Sequence, residues 1–292
     1  MSNRNEMLRR RVQAMLPDLE IRQLELNDEG LANDVVVVNG ELVFRFPKTE
    51  AAATVLETES QILSLVQPHL SLPVPAPIHS GRDCMVYRLL PGQPLTRRLL
   101  LSLDDRIRSH VARQLGSFLR DLHALDTASL DGWEVPFTRA PVTRERWLDL
   151  RDRIQANVYP LLLHHQVVWA DHLFAQALDD PAFFDYELAL IHGDLASYHI
   201  LFEPDAGAVT GIIDFGVAGL GDPALDIGSL ITAYGERFVE EMAPGYPGLG
   251  ACLPRARFYA QSIELQWVLL GVETGETFWF TAHIGGARDI RA

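Results

Sequence analysis

Apolar positions along this chain switch between two periods, and the switches mark its organisation. Residues 6–16 (EMLRRRVQAML) carry apolar side chains at helical spacing and stop at Pro17, which predicts an amphipathic leading helix. From Asp34 to Phe46 (DVVVVNGELVFRF) β-branched and aromatic residues take over, with Asn39-Gly40 at the centre. That dipeptide accepts positive φ at both positions, so the stretch predicts two antiparallel strands joined by a two-residue turn. Pro47 stops the second strand, and residues 49–66 (TEAAATVLETESQILSLV) are rich in Ala, Leu and Glu with no Gly or Pro, which predicts a helix crossing the hairpin. Beyond Pro73, Pro75 and Pro77 come two short strand candidates, Ile78 to His79 and Cys84 to Leu90, and then Pro91-Gly92, the best linker candidate.

Past that linker the pattern turns helical. Ile107, Val111, Leu115, Phe118 and Leu122 recur at steps of three or four and give one buried face to a helix over about 103–124. Residues 144–178 supply one or two more helices. Short strands return only at Leu188 to Ile191, Ile200 to Phe202 and Gly211 to Asp214, after which helical patterns run to the end. The expected class is α+β: a small antiparallel-sheet lobe with one crossing helix at 1–90, and a larger, mainly helical lobe at 91–292. No internal repeat or low-complexity tail interrupts it.

Composition narrows the function classes. With 292 residues, 48% of them hydrophobic and 22% charged, the chain is of globular type and long enough for two lobes. Its net charge of −14 repels nucleic-acid phosphates and anionic membrane surfaces and favours a cationic partner. Cys84 and Cys252 have no CxxC spacing, so neither a disulfide framework nor a zinc site is indicated. No run reaches the ~18 apolar residues of a membrane span. Arg9, Arg10 and Arg11 precede no signal-type apolar core, and the expected location is cytoplasmic.

The chemistry concentrates between Ile191 and Phe215. His192-Gly193-Asp194 follows a strand, His199 comes next, and Asp214-Phe215-Gly216 ends a hairpin spanning about 200–213. A strand and tight turn place Asp194 at a loop mouth, and the hairpin returns Asp214 beside it. In phosphoryl transfer such a pair divides the work. One acid orients the attacking hydroxyl and accepts its proton, and the other holds the metal that neutralises phosphate charge. Asp194 suits the first role and Asp214 the second.

His192-Gly193-Asp194-Leu195, His199 five positions after the acid, and Asp214-Phe215-Gly216 resemble the catalytic and metal loops of the protein-kinase-like fold. The HGDL form, with Gly221-Asp222-Pro223 and Asp226, resembles the aminoglycoside phosphotransferase family, from about residue 25 onward. Where kinases place an Asn as second magnesium ligand, this chain has His199. The 2″-aminoglycoside phosphotransferases and macrolide kinases are similar in carrying His there. The resemblance implies a two-lobed protein-kinase-like fold, Mg2+, and GTP or ATP as phosphoryl donor. It also implies His199 and Asp214 on the metal.

A nucleotide kinase needs a cation on the phosphates, oriented by a buried acid. Strand alternation puts Arg45 on the face opposite Leu42, Phe44 and Phe46, whereas Lys48 follows Pro47. On the crossing helix only Glu59 shares the stripe of Val55, Ile62 and Val66, and Glu57 does not. Arg45 with Glu59 matches the family's cation and helix acid. The phosphate-covering loop would fall at Asn27 to Asp34, with backbone contacts near Gly30 to Asn33. Met85 to Gly92 would be the hinge, with backbone groups of Arg88 and Leu90 on the purine. Tyr87 would be an aromatic gatekeeper, which in the 2″ branch goes with GTP.

For the acceptor, Glu236 and Glu240 share a helical face, with Glu241 adjacent and Trp267 on a later helix. Acids with an aromatic suit an aminosugar through charge-assisted bonds and ring stacking. The reading is a kinase for an aminoglycoside hydroxyl, 2″ by resemblance. A macrolide, amino alcohol or sugar acceptor, or a non-catalytic nucleotide-binding role, stand as alternatives. His164, His165 and His172 lack metal-site spacing, and His123 reads as a helix-end residue.

Overall fold

The computed structural model describes residues 3–27, 32–126, 135–138 and 140–275. Strands β1 (Leu24–Asn27), β2 (Asn33–Val38), β3 (Leu42–Pro47), β4 (Pro77–Ser80) and β5 (Met85–Arg88) form an antiparallel sheet in the order β1-β2-β3-β5-β4. The expected hairpin forms. Asn39 and Gly40 hold φ of 58° and 67°, and Val38 pairs with Leu42 across the turn. The period of two then sorts the faces. Val36, Val38, Phe44, Phe46 and Val86 pack with Leu8 and Val12 of α1 (Asn3–Met15). Val43, Met85 and Tyr87 face the opposite way and join Leu56, Ile62, Leu63 and Val66 of α2 (Glu50–Val66). The Thr49 hydroxyl caps α2 by accepting from Ala52 N–H at 3.1 Å.

This second core continues without a break into the helical half. There, after β6 (Gln93–Pro94), come α3 (Arg97–Ser102), α4 (Asp105–His123), α5 (Arg144–Asn157) and α6 (His164–Leu178). Next are β7 (Ala189–Ile191), β8 (Ile200–Glu203), β9 (Ala208–Ile212) and β10 (Gly219–Gly221). The chain closes with α7 (Ala224–Tyr234), α8 (Glu236–Glu240) and α9 (Leu249–Thr274). Two small sheets, β6-β8-β9 and β10-β7, carry the loops that matter below. No described helix is long and apolar enough to cross a membrane.

The elements differ from expectation at their edges. Residues 144–178 resolve into two helices interrupted around Pro160, and β5 stops at Arg88, leaving Leu89 and Leu90 outside the strand. β9 ends at Ile212, before Asp214. β1 (LELN) and β6 (QP) lacked a sequence signal because neither carries β-branched or aromatic residues. β10 reads GLG, has little strand propensity, and exists because β7 offers it a partner.

One carboxylate fixes the loop after β7. Asp226, in the first turn of α7, is fully buried and accepts from His192 N–H and Gly193 N–H, both at 2.8 Å. Its third partner is His123 Nε2 at 3.1 Å, and His123 Nδ1 lies 3.0 Å from the Tyr246 hydroxyl. A carboxylate only accepts, so Nε2 carries a proton toward it. Burial alone would raise the Asp226 pKa, but the His123 bond and the neighbouring imidazole and backbone donors outweigh it and hold it below the ordinary carboxylate value.

A depressed pKa means that the stabilisation is complete above the unfolded-chain value of about 4 and is lost as pH falls below it. Asp226→Ala, which strands two buried N–H groups and removes the charge facing His123, should cost roughly 3–5 kcal/mol in urea unfolding at neutral pH. Asp226→Asn should be destabilised at neutral pH yet lose less further stability than the wild type between about pH 5 and 3.

Candidate active site

β7 delivers the chain to His192, and Gly193 turns it with φ of 80° so that Asp194 leaves the sheet edge. His192 is fully buried and locked: Nε2 donates to Ile213 O at 3.0 Å, and Nδ1 accepts from Asp194 N–H at 3.2 Å. It bonds the two loops that carry the acids, and burial keeps its pKa low. A short helical turn over Ser197–His199 then leads into β8. The β8-β9 hairpin brings back Asp214, a non-glycine residue with φ of 68°. That backbone costs energy and swings its carboxylate toward His199.

Both acids meet the same imidazole. His199 Nε2 is 3.2 Å from Asp214 Oδ2, and Nδ1 is 2.8 Å from Asp194 O and 3.8 Å from Asp194 Oδ2. Because a carbonyl only accepts, Nδ1 carries the proton, which leaves the Nε2 lone pair aimed at the Asp214 carboxylate. Two acceptors converging this closely require a positive occupant. A proton on Nε2 would satisfy that carboxylate. Burial would lower the His199 pKa, but the bonds and charges of Asp214 and Asp194 raise it. Asp214 shifts the other way, held well below the usual carboxylate range by His199 and Arg45 against the effect of burial.

A divalent cation fits the same geometry. His199 and Asp214 would be its protein ligands, with the tautomer set by the Asp194 carbonyl. Among the described residues no cluster of three or more His, Cys, Asp and Glu ligands assembles.

Arg45 arrives from β3. Its NH1 donates to Glu59 Oε1 at 2.5 Å, and NH2 stands 3.8 Å from Asp214 Oδ1. Glu59 is 1% exposed, and the same Oε1 accepts from Phe215 N–H at 3.2 Å. A continuous chain thus runs from β3 through α2 to the residue after Asp214. Burial works against the Arg45 charge, but Glu59, Tyr87 and Asp214 outweigh it, so the pKa rises and the guanidinium stays ionised. Burial pushes the Glu59 carboxyl up against the pull of Arg45. Tyr87 shares this face of the sheet, and burial pushes its hydroxyl up to about 12.

The remaining candidates divide. Leu89 N–H is tied to Glu41 O at 2.8 Å, whereas Leu90 N–H has no partner among the described residues, as a hinge donor requires. The Arg88 side chain is exposed at the end of β5, so only its backbone faces the sheet. Of the covering loop, Gly30 and Leu31 lie outside the described residues; Asn33 begins β2 and is buried. The acceptor cluster needs correction. Glu236 is fully buried and gripped by Arg257 at 2.6 and 3.1 Å, so its charge is neutralised inside the fold. Glu241 is occupied by Arg108 and Ser109 at 3.2 and 3.1 Å. Sharing a helical face did not imply facing the cleft. Glu240 and Trp267 are half-buried.

Two residues gain importance. His123 supports the Asp226 clamp instead of only ending a helix. Tyr198, 49% exposed, stands edge-on to His199 with ring centroids 4.4 Å apart and feels both acids. Its signal in the sequence was an aromatic directly before His199.

The geometry has close counterparts. The GDP complex of wild-type aminoglycoside 2'-phosphotransferase-IIIa is 26% identical, with a TM-score of 0.88 over 97% of this chain and 96% of that one. A GDP and kanamycin complex of an APH(2") enzyme gives 0.85 at 27% identity, over 95% and 96%. Viomycin phosphotransferase of Streptomyces vinaceus is 28% identical over 214 residues, 70% of this chain and 71% of that protein. The family profile described as a phosphotransferase enzyme family matches residues 23–259. With most of its length matched and the kinase-like fold of the aminoglycoside phosphotransferases, this chain belongs to the phosphotransferase enzyme family.

Proposed function

We propose that this enzyme transfers the terminal phosphoryl group of a magnesium-bound nucleoside triphosphate to a hydroxyl of an aminoglycoside. The observation that carries the reading is the meeting of Asp194, His199, Asp214 and Arg45 in one cluster, with the distances given above. The aminoglycoside assignment is supported by relatives that bind kanamycin and GDP, and by a net charge of −14 that attracts a polycation. The 2″ hydroxyl is the favoured position, and the cytoplasm, where the donor is abundant, is the favoured location. Residues 1–90 serve as the nucleotide lobe and 91–292 as the catalytic and acceptor lobe.

Asp194 orients the acceptor hydroxyl and takes its proton as the oxygen–phosphorus bond forms. The bond between the terminal phosphorus and its bridging oxygen breaks, and nucleoside diphosphate leaves. Arg45, kept ionised by Glu59, spans the phosphates as a planar fork, a geometry that lysine would not reproduce. Bound magnesium would neutralise charge on the phosphate oxygens. His199 and Asp214 would hold it, and the Asp194 carbonyl holds His199. Purine edges meet the backbone of Arg88 and Leu90 over Tyr87, with GTP favoured over ATP. With Glu236 withdrawn, Tyr198 and Trp267 are the aromatic candidates for stacking the acceptor, and Glu240 is the acidic one.

Asp194→Ala should lower kcat about 100- to 10,000-fold while the Kd for magnesium nucleotide changes by no more than about threefold. Wild-type turnover in that variant would refute the role. In thermal melts with magnesium, GTP at 100 times its Kd should stabilise the protein by about 2.7 kcal/mol. ATP at equal concentration should give a smaller shift, and kanamycin a further one. Stabilisation by neither nucleotide would end the reading.

A further inference from the structure

Residues 135–138 do no chemistry in this scheme, yet they touch both loops that do. Thr138 N–H donates to Leu220 O at 3.0 Å and Leu220 N–H to Pro136 O at 2.8 Å, so the segment pairs in parallel with β10. Thr138 is only 4% exposed, and its hydroxyl donates to Val217 O at 3.2 Å, three residues past Asp214. The same hydroxyl lies 3.0 Å from where a Cβ on Gly193 would stand, directly before Asp194. Its methyl lies 2.8 Å from the equivalent point on Gly221. Gly193 and Val217 also meet without any side chain between them, since a Cβ at 193 would come within 2.8 Å of Val217 O.

One buried side chain therefore fills the seam between the loop carrying Asp194 and the loop carrying Asp214. The clamp at Asp226 fixes the first loop from below, and the Phe215 bond to Glu59 fixes the start of the second. At Val217 the second loop is held by the Thr138 hydroxyl. We propose that Thr138 is a positioning residue that sets the spacing of Asp194 and Asp214 by bonding Val217 O while packing on Gly193. The proposal rests on the phosphoryl-transfer reading for its kinetic consequence, because misplacement by about 1 Å can cost on the order of 100-fold in rate.

Thr138→Val keeps the shape and removes the donor, whereas Thr138→Ser keeps the donor and removes the methyl. Thr138→Val should lower kcat about tenfold with the nucleotide KM changed less than twofold, and should raise the magnesium concentration for half-maximal rate. Thr138→Ser should stay within about threefold of wild type. Thr138→Ala is the second hydroxyl-free variant should the valine fail to fold. Wild-type kcat in the hydroxyl-free variants, equal loss in Thr138→Ser, or loss that simply tracks a fall in Tm overturns the proposal. Hydrogen exchange supplies an arm that needs no turnover: amides of 217–221 should exchange faster in Thr138→Val than in Thr138→Ser. Unchanged exchange overturns the stitch itself, while absence of turnover in the wild type counts against the kinase reading alone.

Discussion

A single buried carboxylate carries the architecture of this site. Asp226 spends both oxygens on the two backbone N–H groups that precede Asp194, and His123 occupies one of them a second time. Backbone donors aimed into a protein interior cannot be left without acceptors, so the turn after β7 has one satisfactory arrangement. The side chains around Asp194 are measured from that turn. His192 bonds across to Ile213, His199 bonds back to the Asp194 carbonyl, and Thr138 fits against Gly193.

The side facing the five-stranded sheet is organised by a different balance. Arg45 and Glu59 are both withdrawn from water, an arrangement that favours folding little by itself because desolvation offsets most of the attraction. What it secures is register. Glu59 Oε1 serves Arg45 and Phe215 at once, so α2 cannot shift without disturbing β3 and the loop of Asp214 together. A lysine would make a single point contact. The guanidinium can hold Glu59 through one nitrogen while another faces Asp214.

Much of this was legible in the sequence because local rules carried it. Asn39-Gly40 fixed the hairpin, strand alternation separated Arg45 from Phe44 and Phe46, and the helical stripe chose Glu59 over Glu57. The order of His192, Asp194, His199 and Asp214 announced their convergence. What failed depends on the third dimension. Glu236 shares a helical face with Glu240 and was read toward the acceptor, but Arg257 from α9 pairs with it inside the fold. His123 looked like a helix-end residue because its partner lies about a hundred positions away. Thr138 has no motif at all, since its role comes from glycines on two other segments that leave it room.

The left-handed backbone at Asp214 sets main-chain ease against charge pairing. Glycine at that position would relax the main chain but remove the anion that faces His199 and the buried Arg45, so a screen for heat resistance alone would read only the balance of the two. Directed evolution of this scaffold needs turnover in the selection from the first round.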